Sequence, residues 1–142
     1  MDGPQVGVGA LVVHNGSVLL VLRGRAPNAG QWAIPGGKLR RGETLRQGAE
    51  REILEETGIT IRAGEPVYTF EHIEYAADGT LQYHYVVIDL AAQYLGGDPQ
   101  AADDARAARW VPWLELSQLP LNATTRAALR QLYPAETAAI LT

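Results

Sequence analysis

Apolar residues come in short bursts at the start of the chain, and turn residues separate them. Val6 to Val13 is rich in valine, with Gly7 and Gly9 interleaved. Asn15-Gly16 has the chemistry of a tight hairpin turn, and Ser17 to Leu22 is apolar again up to Arg23. This pattern predicts a β-hairpin. The stretch GRAPNAGQ (24–31) reads as a loop, and Trp32-Ala33-Ile34 as a short strand stopped by Pro35-Gly36-Gly37. From Thr44 to Thr57 the period changes. Leu45, Ala49 and Ile53 recur at every fourth residue, which predicts a helix capped by Thr44 or Glu43 and stopped by Gly58. Ile59 to Arg62 and Val67 to Glu74 are β-rich, interrupted by Gly64 and Pro66; Asp78-Gly79 marks a second turn, and Leu81 to Leu90 is the matching strand. Gly96 to Pro99 breaks the chain, and an acidic, alanine-rich loop (100–108) follows. Arg109 to Val111 is a short strand candidate, Trp113 to Leu119 a helical turn, and a last helix capped by Asn122 or Thr124 runs through Leu132 to Pro134. Strands first, one helix between them and one closing the chain predict a single domain over 1–142, with a tail from about 134. The expected fold class is α/β (α+β), a sandwich around a mixed sheet.

Composition narrows the function classes. The 142 residues are 46% hydrophobic and 20% charged, the balance of a soluble globular domain. The net charge of −4 argues against a large nucleic-acid footprint, because neutralising many phosphates requires a basic surface. There are no cysteines, so disulfides, thiolate metal sites and thiol nucleophiles are excluded. That is compatible with a reducing cytosol, and cytoplasmic location is the expectation. The start, MDGPQ, does not read as a signal peptide, and the apolar runs are too short to span a bilayer. No membrane partner is expected.

The chemistry concentrates between Gly37 and Ile59. At about 100° per residue, Glu52 and Glu56 lie one turn apart on the same side of the helix, with Glu55 on their flank and the apolar stripe beside them. Like charges at this spacing repel. A hard divalent cation, which prefers oxygen ligands and pairs with one or two carboxylates plus substrate phosphates, would remove the repulsion. Arg51 precedes Glu55 by four residues and can pair with it. A solvated helix rich in glutamate is the plainer alternative, but it leaves Gly36, Gly37, Glu43 and Gly58 without a use.

The segment resembles the Nudix box, G-x5-E-x7-R-E-U-x-E-E-x-G-U with U a bulky apolar residue. Gly37, Glu43, Arg51, Glu52, Ile53, Glu55, Glu56, Gly58 and Ile59 fill its defined positions. The preceding Trp32-Ala33-Ile34-Pro35-Gly36, the opening hairpin and Arg109-Trp110-Val111-Pro112 extend the likeness over most of the chain. The resemblance implies an α/β/α sandwich and hydrolysis of a nucleoside diphosphate linked to another group. It implies Mg²⁺, with Mn²⁺ as a substitute, served by Glu52, Glu55 and Glu56 and by the backbone carbonyl of Gly36 or Gly37. Glu43 and Arg51 would shape the site, and Glu52 or Glu55 would act as general base. Some relatives use a glutamate in a distant loop instead. The matching position here holds Ala107, so that base is missing or Asp103 or Asp104 replaces it; an ordinary solvated loop is the alternative for both aspartates.

Arg23, Arg25 and Lys38 are candidates for contacts to substrate phosphates, with a surface role the alternative. Asp104 joins them as a candidate binding residue. Trp32, Phe70, Tyr83 and Tyr85 are candidates for stacking a base, with core packing the alternative. The segments VGVGALVV, YHYVVIDL and DDARAARWVPWLEL resemble short ADP-ribose pyrophosphatases. That likeness implies ADP-ribose cleaved to AMP and ribose 5-phosphate, and a homodimer as in many such enzymes. A nucleoside-triphosphate pyrophosphohydrolase of the mutator type is the second expectation, and a regulatory domain that binds a nucleotide without cleaving it is the third.

Overall fold

In a computed structural model, which describes residues 3–26 and 28–141, β1 (Gln5–His14) is the centre of the molecule. Its side chains alternate between two cores, as the period of a strand requires. Val8, Ala10 and Val12 point to one face, where Ala49 and Ile53 of helix α1 (Leu45–Thr57) meet them. Leu11 points to the other face, toward Leu116, Leu129 and Leu141. Helical layers on both faces of one sheet make the expected sandwich.

Seven strands among the described residues form that sheet. Strand β1 pairs antiparallel with β2 (Ser17–Arg23) and β4 (Gly36–Lys38), and parallel with β6 (Leu81–Gly96), so the sheet is mixed. Strand β2 also carries β3 (Trp32–Ala33) and β7 (Ala105–Pro112), while β5 (Thr60–Tyr75) forms the far edge beside β6. A 3-10 turn (Trp113–Gln118), helix α2 (Ala123–Leu132) and helix α3 (Pro134–Thr137) cover the second face. Among the described residues no helix is long and apolar enough to cross a membrane.

The hairpin turn and the first helix follow the sequence closely. Asn15 and Gly16 both take positive φ, 50° and 74°, as a primed turn demands. Thr44 caps α1: its hydroxyl accepts from the Gln47 N–H, and the Gln47 side chain accepts from the Thr44 N–H. Gly58 ends the helix in the left-handed region at φ 74°.

Elsewhere the sheet overrides local composition. Gly36 and Gly37 do not stop a strand; they form β4, pressed against Gly9 and Val8 of β1. Gly64 and Pro66 do not split β5. The register shifts around them, the Glu50 carboxylate accepts the Ala63 N–H at 2.9 Å, and β5 is an edge strand, where a proline is tolerated. The expected loop 100–108 ends early: β7 starts at Ala105, because Ala107 and Ala108 pair with Leu22 and Val21 of β2. The tail from 134 carries α3 and seats Leu141 in the core at 1% exposure.

Candidate active site

Arg51 stands at the centre of the acidic group on α1. Its Nε donates to Glu43 Oε2 at 2.5 Å and its Nη2 to Glu43 Oε1 at 2.9 Å, a two-pronged contact. Nη1 donates to Glu52 Oε1 at 2.6 Å and to Glu55 Oε2 at 3.2 Å, and Nη2 also reaches the Lys38 carbonyl at 3.0 Å. Glu43 comes from the loop before the helix, where its Oε1 also accepts from the Arg40 N–H at 2.8 Å. The hydrogen bonds from Arg51 and then from Arg40 lower the Glu43 carboxyl to about 2, so it is ionised at every physiological pH. One guanidinium thus holds three carboxylates and ties the box loop to the helix.

Glu56 is built differently. Its Oε1 accepts the Gly36 N–H at 3.0 Å, and burial lifts its pKa to about 7 against the pull of that N–H. Glu52 and Asp104 add to the rise, and Arg23 opposes it, so all three lie within electrostatic reach. Glu52 closes on the same spot: a Cβ on Gly37 would overlap its carboxylate, which would have to move aside. Antiparallel pairing sends alternate backbone groups toward and away from the neighbouring strand. The Leu39 N–H donates to the Val6 carbonyl, and the same alternation turns Gly37 inward to Val8. Gly36 faces outward with Glu56. Gly37 therefore abuts Glu52 through its Cα while its carbonyl points to β1, and the Gly36 backbone points away from β1 on the side of Glu56.

Among the described residues, no three acidic or imidazole groups are gathered into a ready-made cation cage. The donor set still fits a hard divalent ion. Glu52 offers carboxylate oxygens beside Gly37 and Glu56 beside Gly36, and burial of the Glu56 carboxyl outweighs the pull of Arg23. Glu55 is more exposed, at 38% of its side chain, and is shared between Arg51 and Arg40.

These groups open onto a cleft of about 1430 Å³. Arg23, Arg25, Lys38, Asp103 and Asp104 all line it, the two aspartates from an exposed turn at its rim. Asp104 pairs with Arg25 at 2.7 Å. Ala107 lies in β7 and packs toward the second core. Phe70, Tyr83 and Tyr85 are half-buried cleft walls, whereas Trp32 is core, 7% exposed, with the Arg109 guanidinium 5.6 Å above its ring. Trp110 and Trp113 pack, against Tyr94 and Tyr133 respectively.

The sequence reading missed Asp89. It lies on the cleft floor, 3% exposed, and burial lifts its pKa to about 7. The signal was its place in β6: Tyr83, Tyr85, Val87 and Asp89 alternate onto one face, and an acid in such a row stands out.

The chain is similar to known proteins over most of its length. An oxidized purine nucleoside triphosphate hydrolase from Danio rerio is 34% identical over 79% of this chain and 67% of its own length. An ADP-ribose pyrophosphatase from Methanocaldococcus jannaschii is 31% identical over 82% of this chain and 65% of its own. The chain thus spans about two thirds of the length of these relatives. The crystal structure of a MutT NUDIX hydrolase from Burkholderia pseudomallei superposes with a TM-score of 0.76 at 36% identity, covering 92% of this chain and 99% of that one. The family model for the NUDIX domain matches residues 3–135, and the chain belongs to that family.

Proposed function

We propose that this chain is a divalent-metal-dependent hydrolase that cleaves a phosphoanhydride bond in a purine nucleoside diphosphate linked to a further group. The observation that carries the reading is the convergence of Glu52 and Glu56 on Gly36-Gly37 at the cleft wall, with Arg51 bracing Glu52. Mg²⁺ or Mn²⁺ held by Glu52, Glu56 and the Gly36 carbonyl, with Glu55 nearby, would neutralise phosphate charge and acidify a water. Arg23 and Lys38 bring positive charge to the same cleft and orient the phosphates. In the reaction a water oxygen bonds to phosphorus while the bridging P–O bond breaks, and its electron pair leaves with the departing phosphate. The water proton passes to a carboxylate. Glu52 suits that role better than Glu55, because it lines the cleft and Glu55 does not.

Two substrates are supported. The Danio relative, by its name an oxidized purine nucleoside triphosphate hydrolase, favours a purine nucleoside triphosphate, which we place first. ADP-ribose, the first expectation from sequence, is supported by the Methanocaldococcus relative. The test is a panel of purine nucleoside triphosphates, ADP-ribose, dinucleotides and nucleotide sugars, assayed for phosphate-linked products with Mg²⁺, with Mn²⁺ and with chelator. Metal-dependent turnover of at least one is expected. Turnover that survives chelation overturns the metal role, and exclusive turnover of ADP-ribose overturns our order of substrates.

A further inference from the structure

The part of the cleft floored by β1 and β6 is built for something specific. Strand β6 presents Tyr85, Val87 and Asp89 there. In register, β5 sets His72 opposite Tyr85 and Phe70 opposite Val87, and β1 sets Gly7 opposite Val87 and Gly9 opposite Asp89. The glycines leave the floor bare. A Cβ at Gly9 would stand 2.5 Å from Asp89 Oδ1 and 2.8 Å from the Pro35 carbonyl, so the carboxyl occupies the space that a side chain would fill.

Asp89 is buried, yet its carboxylate has no hydrogen-bond or ion-pair partner among the described residues. Its pKa is raised by burial alone, with no neighbouring group contributing. On the same face His72 Nε2 is buried without a hydrogen-bond partner, Glu74 Oε1 standing 3.5 Å away. Buried polar groups are normally paired, and two orphans in one cleft point to a ligand that completes them. That ligand part is not phosphate, which a carboxylate repels; phosphates are drawn toward Arg23 and Lys38. Between aromatic walls the fitting group is a flat base.

We infer that Asp89 is the specificity-determining residue of the cleft, its carboxylate accepting the two adjacent N–H donors of a guanine-type base edge. A carboxylate is an acceptor with two parallel oxygens. An imino N–H beside an amino group matches both. An adenine-type edge sets an acceptor nitrogen beside its amino group, so one carboxylate oxygen faces a lone pair. This inference rests on the proposed function, since it names the base of that nucleotide.

The test begins with the unmodified chain and needs no hydrolysis. Calorimetry is used to measure the dissociation constants of GMP, inosine monophosphate and AMP. GMP should bind about tenfold to a hundredfold more tightly than AMP, as for a good two-pronged contact to a base. Inosine monophosphate, which keeps the imino N–H and lacks the amino group, should fall between. In Asp89→Asn, where an amide N–H replaces an acceptor, the GMP-to-AMP preference should collapse or reverse. Equal binding of GMP and AMP by the unmodified chain overturns the inference, as does an Asp89→Asn protein that keeps the preference. If equal binding accompanies metal-dependent hydrolysis of any nucleotide, the inference fails alone and the proposed function stands. If nothing in the substrate panel is cleaved, the function fails on its own measurement.

Discussion

Arg51 shows how much one side chain decides at the scale of the residue. It holds Glu43, Glu52 and Glu55 with a planar fork of donors, which a lysine ammonium cannot imitate. Arg51→Lys should cost about 1–3 kcal/mol of stability, measured by denaturant unfolding, because charged acceptors lose their donors in a half-buried place. The same variant should lose activity while its Mg²⁺ dependence persists. Glu56 makes a sharper case. It is buried with one N–H donor, so Glu56→Gln preserves shape and that contact while removing the charge a cation requires. The variant should fold and lose at least about tenfold to a hundredfold in kcat, the range seen when even supporting groups of metal sites are altered. A fully active Glu56→Gln protein would show that Glu56 is not a ligand. The spacing of these glutamates was legible in the chain. Their unequal surroundings were not, since only folding decides that Glu43 sits at about 2 and Glu56 at about 7.

The elements divide into those that carry their own instructions and those that receive them from a neighbour. Helix α1 belongs to the first kind. Thr44, Gln47 and Gly58 specify its ends through local hydrogen bonds and one left-handed residue, so a short window of sequence suffices. Thr44→Ala should lower stability by about 1 kcal/mol with little change in kcat, a separation that melting and turnover measured together will reveal. Strands β4 and β7 belong to the second kind. Gly-Gly and Ala-Arg-Ala-Ala have poor strand propensity, and they are extended because β1 and β2 offer unpaired edges. Strand β4 also couples fold to chemistry. Gly37→Ala sets a methyl group into the Glu52 carboxylate, so activity should fall by more than the loss of stability accounts for. Retained activity in a folded Gly37→Ala protein would mean that Glu52 can move away without harm.

At the scale of the whole molecule, the buried acids make stability depend on pH. The folded Asp89 carboxyl has its pKa raised from 3.8 to about 7 by burial, so between those values the folded state binds more protons than the unfolded state. Its stabilising contribution is present below about 3.8 and is lost as pH rises through about 7. Glu56, raised from 4.5 to about 7, has the same sign, whereas Glu43, lowered to about 2, stabilises above 4.5 and loses its effect as pH falls toward 2. Without metal or nucleotide, the unfolding free energy should therefore decline from about pH 4.5 to about pH 7, and Asp89→Asn should make that decline shallower without abolishing it. An unchanged slope in Asp89→Asn would mean that its carboxyl is not buried in solution. The sequence by itself determined the hairpin, the capped helix, the sandwich class and the set of box residues, because each depends on periodicity, on the order of elements or on contacts within a few residues. Only the tertiary structure decided that Asp104 and Arg23 come within electrostatic reach of Glu56, that the Gly36 backbone rather than that of Gly37 points away from β1, and that the Asp89 carboxylate lies unpaired on a floor bared by Gly9. Those facts depend on which strands become neighbours and in what register, and pairing across dozens of residues leaves no local mark in the chain.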